Sequence, residues 1–219
     1  MQELYNSDSQ ASAESFEVSK VLRNTYALLG LTLAFSALTA GVAMAFNVPH
    51  FGLLSLIPTI GLLFAVQKFK NSGMGLILVF ALTGWLGVTL APLLNAFLAA
   101  GAGDTIMLAL GGTAAIFFAM SGYILITKKN MSYMGGFLMV GMLVAFIAMI
   151  ANAFMQIPAL HLVICGIFLV LSSLMIMYQT SAIIHGGERN YISATVSLYV
   201  SLYNIFVVLL QLIGMGGDD

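Results

Sequence analysis

The chain has 219 residues, 61% of them hydrophobic and only 7% charged, and a formal net charge of −1. Soluble domains are about a quarter charged, so this composition excludes a water-soluble globular fold. The near-neutral balance gives no electrostatic reason to expect nucleic acid as a partner. Apolar runs of roughly 20 residues, enough to cross a hydrocarbon core of about 30 Å, recur along the chain. They are continuous instead of alternating with period two, and lipid offers backbone amides no partner outside the segment. The expected fold is therefore an all-α, polytopic membrane bundle and not a barrel.

Residues 1–19, MQELYNSDSQASAESFEVS, are polar and acidic. They lack a basic stretch followed by an apolar core and a small-residue cleavage site, so they read as a flexible tail and not as a cleaved signal. Residues 20–219 then form one transmembrane domain, with seven spans at 24–46, 51–67, 74–99, 105–127, 134–156, 159–179 and 191–214. The connectors are short, which predicts that consecutive helices lie antiparallel and side by side. Lys20 and Arg23 precede the first span, Lys68 and Lys70 follow the second, Lys128 and Lys129 the fourth, and Arg189 the sixth. With seven spans every Lys and Arg falls on one side, and the positive-inside rule makes that side cytosolic. The amino terminus is thus expected in the cytosol and the carboxyl terminus across the membrane. Small residues inside spans, Gly30 with Ala34, Gly61 with Ala65, Gly84 with Gly87, Gly111 with Gly112 and Gly135 with Gly136, predict close helix contacts. Pro92 predicts a bend in the third span.

The last span carries a polar stripe. Ser193, Ser197, Ser201 and Asn204 share one helical face, with Tyr199 and Tyr203 beside it, and Ser172 and Gln179 lie two turns apart on the sixth span. Hydrogen bonding between helices is the plain expectation, and a hydrated ion path the alternative. No ionisable residue lies near the middle of a span, which argues against a carboxylate proton relay and against a Schiff-base lysine. Asp104, in GAGD, matches the G-x-G-D pattern of intramembrane aspartyl proteases. No second intramembrane Asp accompanies it, so it reads as a helix cap. H-E-x-x-H is absent and MSGY at 120–123 has no histidine partner, so neither an enzyme nor a cofactor is expected. His50 and His161 fall on the outer side and His185 on the inner. A two-histidine outer metal site lacks a carboxylate or Cys nearby, so interfacial histidines are the preferred reading. Cys165 reads as a small buried apolar residue and the 14 methionines as adaptable filler. In the compact cluster HGGER, His185, Glu188 and Arg189 read as capping and pairing groups at a cytosolic turn.

From Tyr178 onward, YQTSAIIHGGERNYISATVSLYVSLYNIF resembles the signature of the Bax inhibitor-1 family, also called the transmembrane Bax inhibitor motif family. VLRNTYALLGLTLAFSALTA at the first span and SYMGGFLMVGMLV entering the fifth support it, and the likeness covers essentially the whole chain after the tail. The resemblance implies two functions. Members studied as ion pathways are pH-sensitive calcium leaks with two sensor aspartates on the last two helices. Those positions fall on Gln179 and Ser201, which cannot titrate near neutral pH or bind a divalent cation strongly. LRNTY, LGGTA, PALHL, IIHGGE and ATVSLYVSLYNIF place the likeness in a bacterial inner-membrane branch, whose members are substrates and modulators of the FtsH protease and associate with the HflK and HflC complex. That role implies no catalytic residue and needs a tail the protease can grasp, for which Met1, Gln2, Glu3, Leu4 and Tyr5 are the leading candidates.

Overall fold

The computed structural model describes residues 2–216, with side chains described from Phe16 onward. Seven long helices account for most of it: α1 (Gln2–Ala45), α2 (Leu56–Phe69), α3 (Gly73–Ala99), α4 (Gly103–Thr127), α5 (Gly135–Met155), α6 (Pro158–Ile184) and α7 (Tyr191–Met215). Short 3₁₀ turns at Gly52–Ser55 and Ser132–Met134 lead into α2 and α5. Among the described residues seven helical segments are long and apolar enough to span a membrane, the second and fifth counted together with the 3₁₀ turns that lead into them. Among the described residues α1 begins at Gln2, so the backbone of residues 2–19 is helical where composition predicted an irregular tail. No Gly or Pro interrupts the chain before Gly30, and nothing local stops the α1 ladder from continuing outward. α6 also runs past Gln179 to Ile184, and α3 continues through Pro92.

Packing departs from chain order. α1 lies chiefly along α3, and α4 packs against α7 and α6 more than against α3. Side-by-side pairing of every consecutive pair is thus not what the bundle does. The reason is α7, which packs against α1, α2, α3, α4 and α6 and so occupies the centre. Half of its apolar window is buried, against 6% for α2 and 11% for α5, which face outward. Leu198, Tyr199, Leu202 and Ile205 of α7 join Val79, Leu82 and Leu86 of α3, Leu28 and Leu29 of α1, and Ile176 of α6 in the main core.

Only some of the small residues make close contacts. A Cβ on Gly87 would run into the Ser36 carbonyl and the Thr39 hydroxyl of α1, and one on Gly84 would stand 2.8 Å from the Phe35 ring. Thr39 also donates to the Gly84 carbonyl at 3.1 Å, so the α1–α3 seam is tight because these two positions lack side chains. Gly112 meets Leu209 and Gly135 meets Tyr178 in the same way. Gly30, Gly61, Gly111 and Gly136 have nothing within 4 Å, so the contacts predicted for them are not formed. Asp104 sits in the first turn of α4, where the helix dipole favours it, but the cap position is Ala102.

Candidate functional site

The α6–α7 hairpin organises one end of the bundle. Two residues beyond the end of α6, Gly186 has φ +71°, a backbone conformation that glycine adopts without steric cost, and the Gly187 and Glu188 amides donate to the Ala182 carbonyl at 2.8 and 3.0 Å. Asn190 then caps α7, its Oδ1 accepting from the amides of Ile192 and Ser193 at 3.0 Å each. The same side chain donates through Nδ2 to the Lys70 carbonyl at 3.0 Å and to Asn71 Oδ1 at 2.7 Å. Glu188 accepts from the Asn190 amide at 2.8 Å, Arg189 Nε donates to the Gly186 carbonyl at 3.3 Å, and His185 Nδ1 lies 2.9 Å from the Ser181 carbonyl. His185, Glu188 and Arg189 are therefore seen fastening the turn. Across the bundle, Ser181 donates to the Lys129 carbonyl at 3.0 Å and accepts from the Met131 amide at 2.8 Å. Val21 of α1 packs on Ile183 and Ala194. These links gather Lys20, Arg23, Lys68, Lys70, Lys128, Lys129 and Arg189 at one end.

Just inside that end lies a polar layer. Tyr26, Ser121 and Thr180 share hydrogen bonds through their hydroxyls, bringing α1, α4 and α6 together. Gln179 is only 5% exposed and its Nε2 has no hydrogen-bond partner, while Ser201 donates to the Ser197 carbonyl of its own helix at 2.9 Å. Gln179 and Ser201, the positions to which the resemblance assigns an acid pair, are thus both buried, but they are not linked through the amide nitrogen. Ser172 is fully buried with an unpartnered hydroxyl, and Ser193 is buried beside the α7 cap. Tyr199 pairs with Ser36 of α1 at 2.5 Å and donates to the Thr83 carbonyl of α3 at 3.3 Å, and Tyr203 meets Thr89 at 3.1 Å. The two tyrosines beside the polar stripe thus fasten α7 to α1 and α3, whereas Ser201 of the stripe turns back onto its own helix.

At the opposite end, α5, α6 and α7, Asn204 among their residues, line a partly open pocket of about 600 Å³ together with His50. Here His161 Nε2 stands 2.9 Å from Gln211 Oε1, and Cys165 Sγ stands 3.6 Å from His161 Nε2 and 3.5 Å from Gln211 Oε1. Reading the sequence segment by segment missed this cluster. The spacing of His161 and Cys165, one helical turn apart, was the available signal; Gln211 joins only when α7 packs. Among the described residues, no three His, Cys, Asp or Glu side chains group as a metal site. The side chains of the tail residues Gln2, Glu3, Leu4 and Tyr5, and Met1 entirely, lie outside the described residues.

Seven membrane-spanning segments around a central, polar-striped α7, with Asp, Glu, Lys and Arg confined, among the described residues, to span ends, connectors and the part of α1 ahead of its apolar run, define a polytopic helical-bundle membrane protein. The chain belongs to the family described as Inhibitor of apoptosis-promoting Bax1, which matches residues 18–218. It is 56% identical, over 91% of its length and 92% of the relative's, to the Escherichia coli K12 protein named Modulator of FtsH protease YccA. The same identity and coverage hold for the Inner membrane protein YccA of E. coli O6:H1. An uncharacterized Pseudomonas aeruginosa protein is 50% identical over the whole of both chains. With its seven spans, the chain is a multi-pass inner membrane protein.

Proposed function

We propose that this chain is a non-enzymatic modulator of the FtsH ATP-dependent membrane protease and a slow substrate of it, engaged through residues 1–19 on the cytosolic side. The observation that carries this reading is 56% identity, along 91% of the chain, to a protein named as a modulator of that protease. Two further features support it. Residues 2–15 continue α1 outward for roughly 20 Å at 1.5 Å per residue, an end that a protease can seize. Behind that end, extraction must break the α1–α3 seam and the α7 contacts, so unfolding is slow and the protease stays occupied. Clustering of all seven Lys and Arg at the end from which α1 emerges supports an amino terminus in the cytosol and a carboxyl terminus in the periplasm. The HflK and HflC complex is the further partner that the family resemblance adds.

Pulse-chase measurement of the chain's lifetime, in cells with and without the protease, tests this. Deleting residues 1–19 should lengthen the lifetime in protease-containing cells to that in cells without it. Unchanged turnover would contradict capture by the tail, and a lifetime indifferent to the protease would contradict the whole reading. A calcium leak between α6 and α7 is the other family function, but Gln179 and Ser201 supply no carboxylate, and hard divalent cations want several oxygen ligands with charge among them.

A further inference from the structure

We infer that the cavity between α5, α6 and α7 holds a site for a soft, thiolate-preferring metal ion, with copper(I) and zinc(II) as the ions of that class to test. The inference is independent of the protease reading. Its ligands are Cys165 Sγ, His161 Nε2 and Gln211 Oε1, whose mutual distances are 3.6, 3.5 and 2.9 Å. Bond lengths of roughly 2.3 Å to sulfur and 2.0–2.2 Å to nitrogen or oxygen, at tetrahedral angles, give ligand–ligand edges of about 3.4–3.6 Å. Two of the three edges have that length. The third is a hydrogen bond that opens by about half an ångström when the ion replaces the proton, on the same bond-length argument.

Position and chemistry agree with this assignment. His161 and Cys165 project from successive turns of α6, so a rigid helix sets their separation, and Gln211 comes from α7, the most buried element. A nucleophilic dyad fits less well. A third group that oriented the imidazole would hold Nδ1, whereas Cys165 and Gln211 both address Nε2. Three donors from two helices, converging on one point, are instead the arrangement an ion needs. Thiolate and imidazole select soft or borderline ions over calcium and magnesium. The cavity leaves room for a fourth ligand, and His50, Met149 and Met215 line it with imidazole and thioether groups. Binding releases the thiol proton to solvent and moves the imidazole proton to Nδ1, leaving Nε2 free to coordinate.

Purified, metal-free full chain in detergent should bind one equivalent of copper(I) or zinc(II) in competition with a chromophoric chelator. Cys165→Ser and His161→Asn should each weaken binding by at least about tenfold, the loss that removing even an outer-shell partner brings at metal sites. If either variant fails to fold, cobalt(II) on the native chain decides, because a thiolate ligand adds a near-ultraviolet charge-transfer band. Absence of that band, absence of stoichiometric binding, or folded variants that bind as tightly as the native chain would overturn the site and leave the cluster as a hydrogen-bonded latch.

Discussion

At Asn190 one carboxamide joins two segments: it caps α7, and it binds Lys70 and Asn71 in the α2–α3 connector. Asn190→Ala should therefore cost more than an ordinary cap, at or above the upper part of the usual range of about 0.5–2 kcal/mol. Denaturation in mixed detergent micelles would measure it, and a loss near zero would mean that water replaces all four contacts. Gln179 makes the opposite case. Its buried Nε2 is unpartnered, and an orphaned polar group costs about 1–3 kcal/mol. Gln179→Met should leave the melting temperature unchanged or raise it, whereas a clear fall would reveal a partner for the amide. The sequence allowed Gln179 and Ser201 to be singled out through the family resemblance, which implies an acid pair at these two positions. It could not tell that Ser201 turns back onto its own helix, since a serine in a helix chooses between Ser197 behind it and a neighbour across the interface only after packing. The HGGER turn was legible for a simpler reason. Its glycines and flanking Asn act within six residues of each other, and local geometry decides them.

Elements were legible where composition alone settles them. Seven apolar runs became seven helices, because lipid forces each run to satisfy its own backbone. Which helices touch was not legible. Gly30 and Gly87 look alike in the sequence, yet only Gly87 stands against another backbone. This yields a paired prediction for the α1–α3 seam. Gly87→Ala should destabilise the bundle by about 1–3 kcal/mol, as overpacking of a closed interface does. Gly30→Ala should change stability by no more than about 0.5 kcal/mol. Equal effects in a micelle unfolding assay would show that the seam is not where the two helices are held together. The His161–Cys165 pair belongs to the same scale. One turn of α6 sets the two side by side, but no periodicity in α6 announces Gln211. The search for metal ligands fails in the sequence for that reason, since the third donor lies 46 residues away from Cys165.

For the whole molecule, two properties decide the proposed function: which end faces the cytosol and how firmly the bundle resists extraction. The basic residues all gather at the end held together by Asn190, Ser181 and Val21. A reporter that fluoresces only in the cytosol should therefore be bright when fused at the amino terminus, and a phosphatase active only in the periplasm should work when fused at the carboxyl terminus. The reverse pattern would invert the proposed topology and remove the tail from the protease's reach. Modulation itself is tested most directly with purified FtsH in proteoliposomes, by following the degradation rate of a second membrane substrate as this chain is added. The account predicts that the intact chain slows that degradation in proportion to its amount, and that the chain without residues 1–19 does not. A rate unaffected by the intact chain would contradict the central claim.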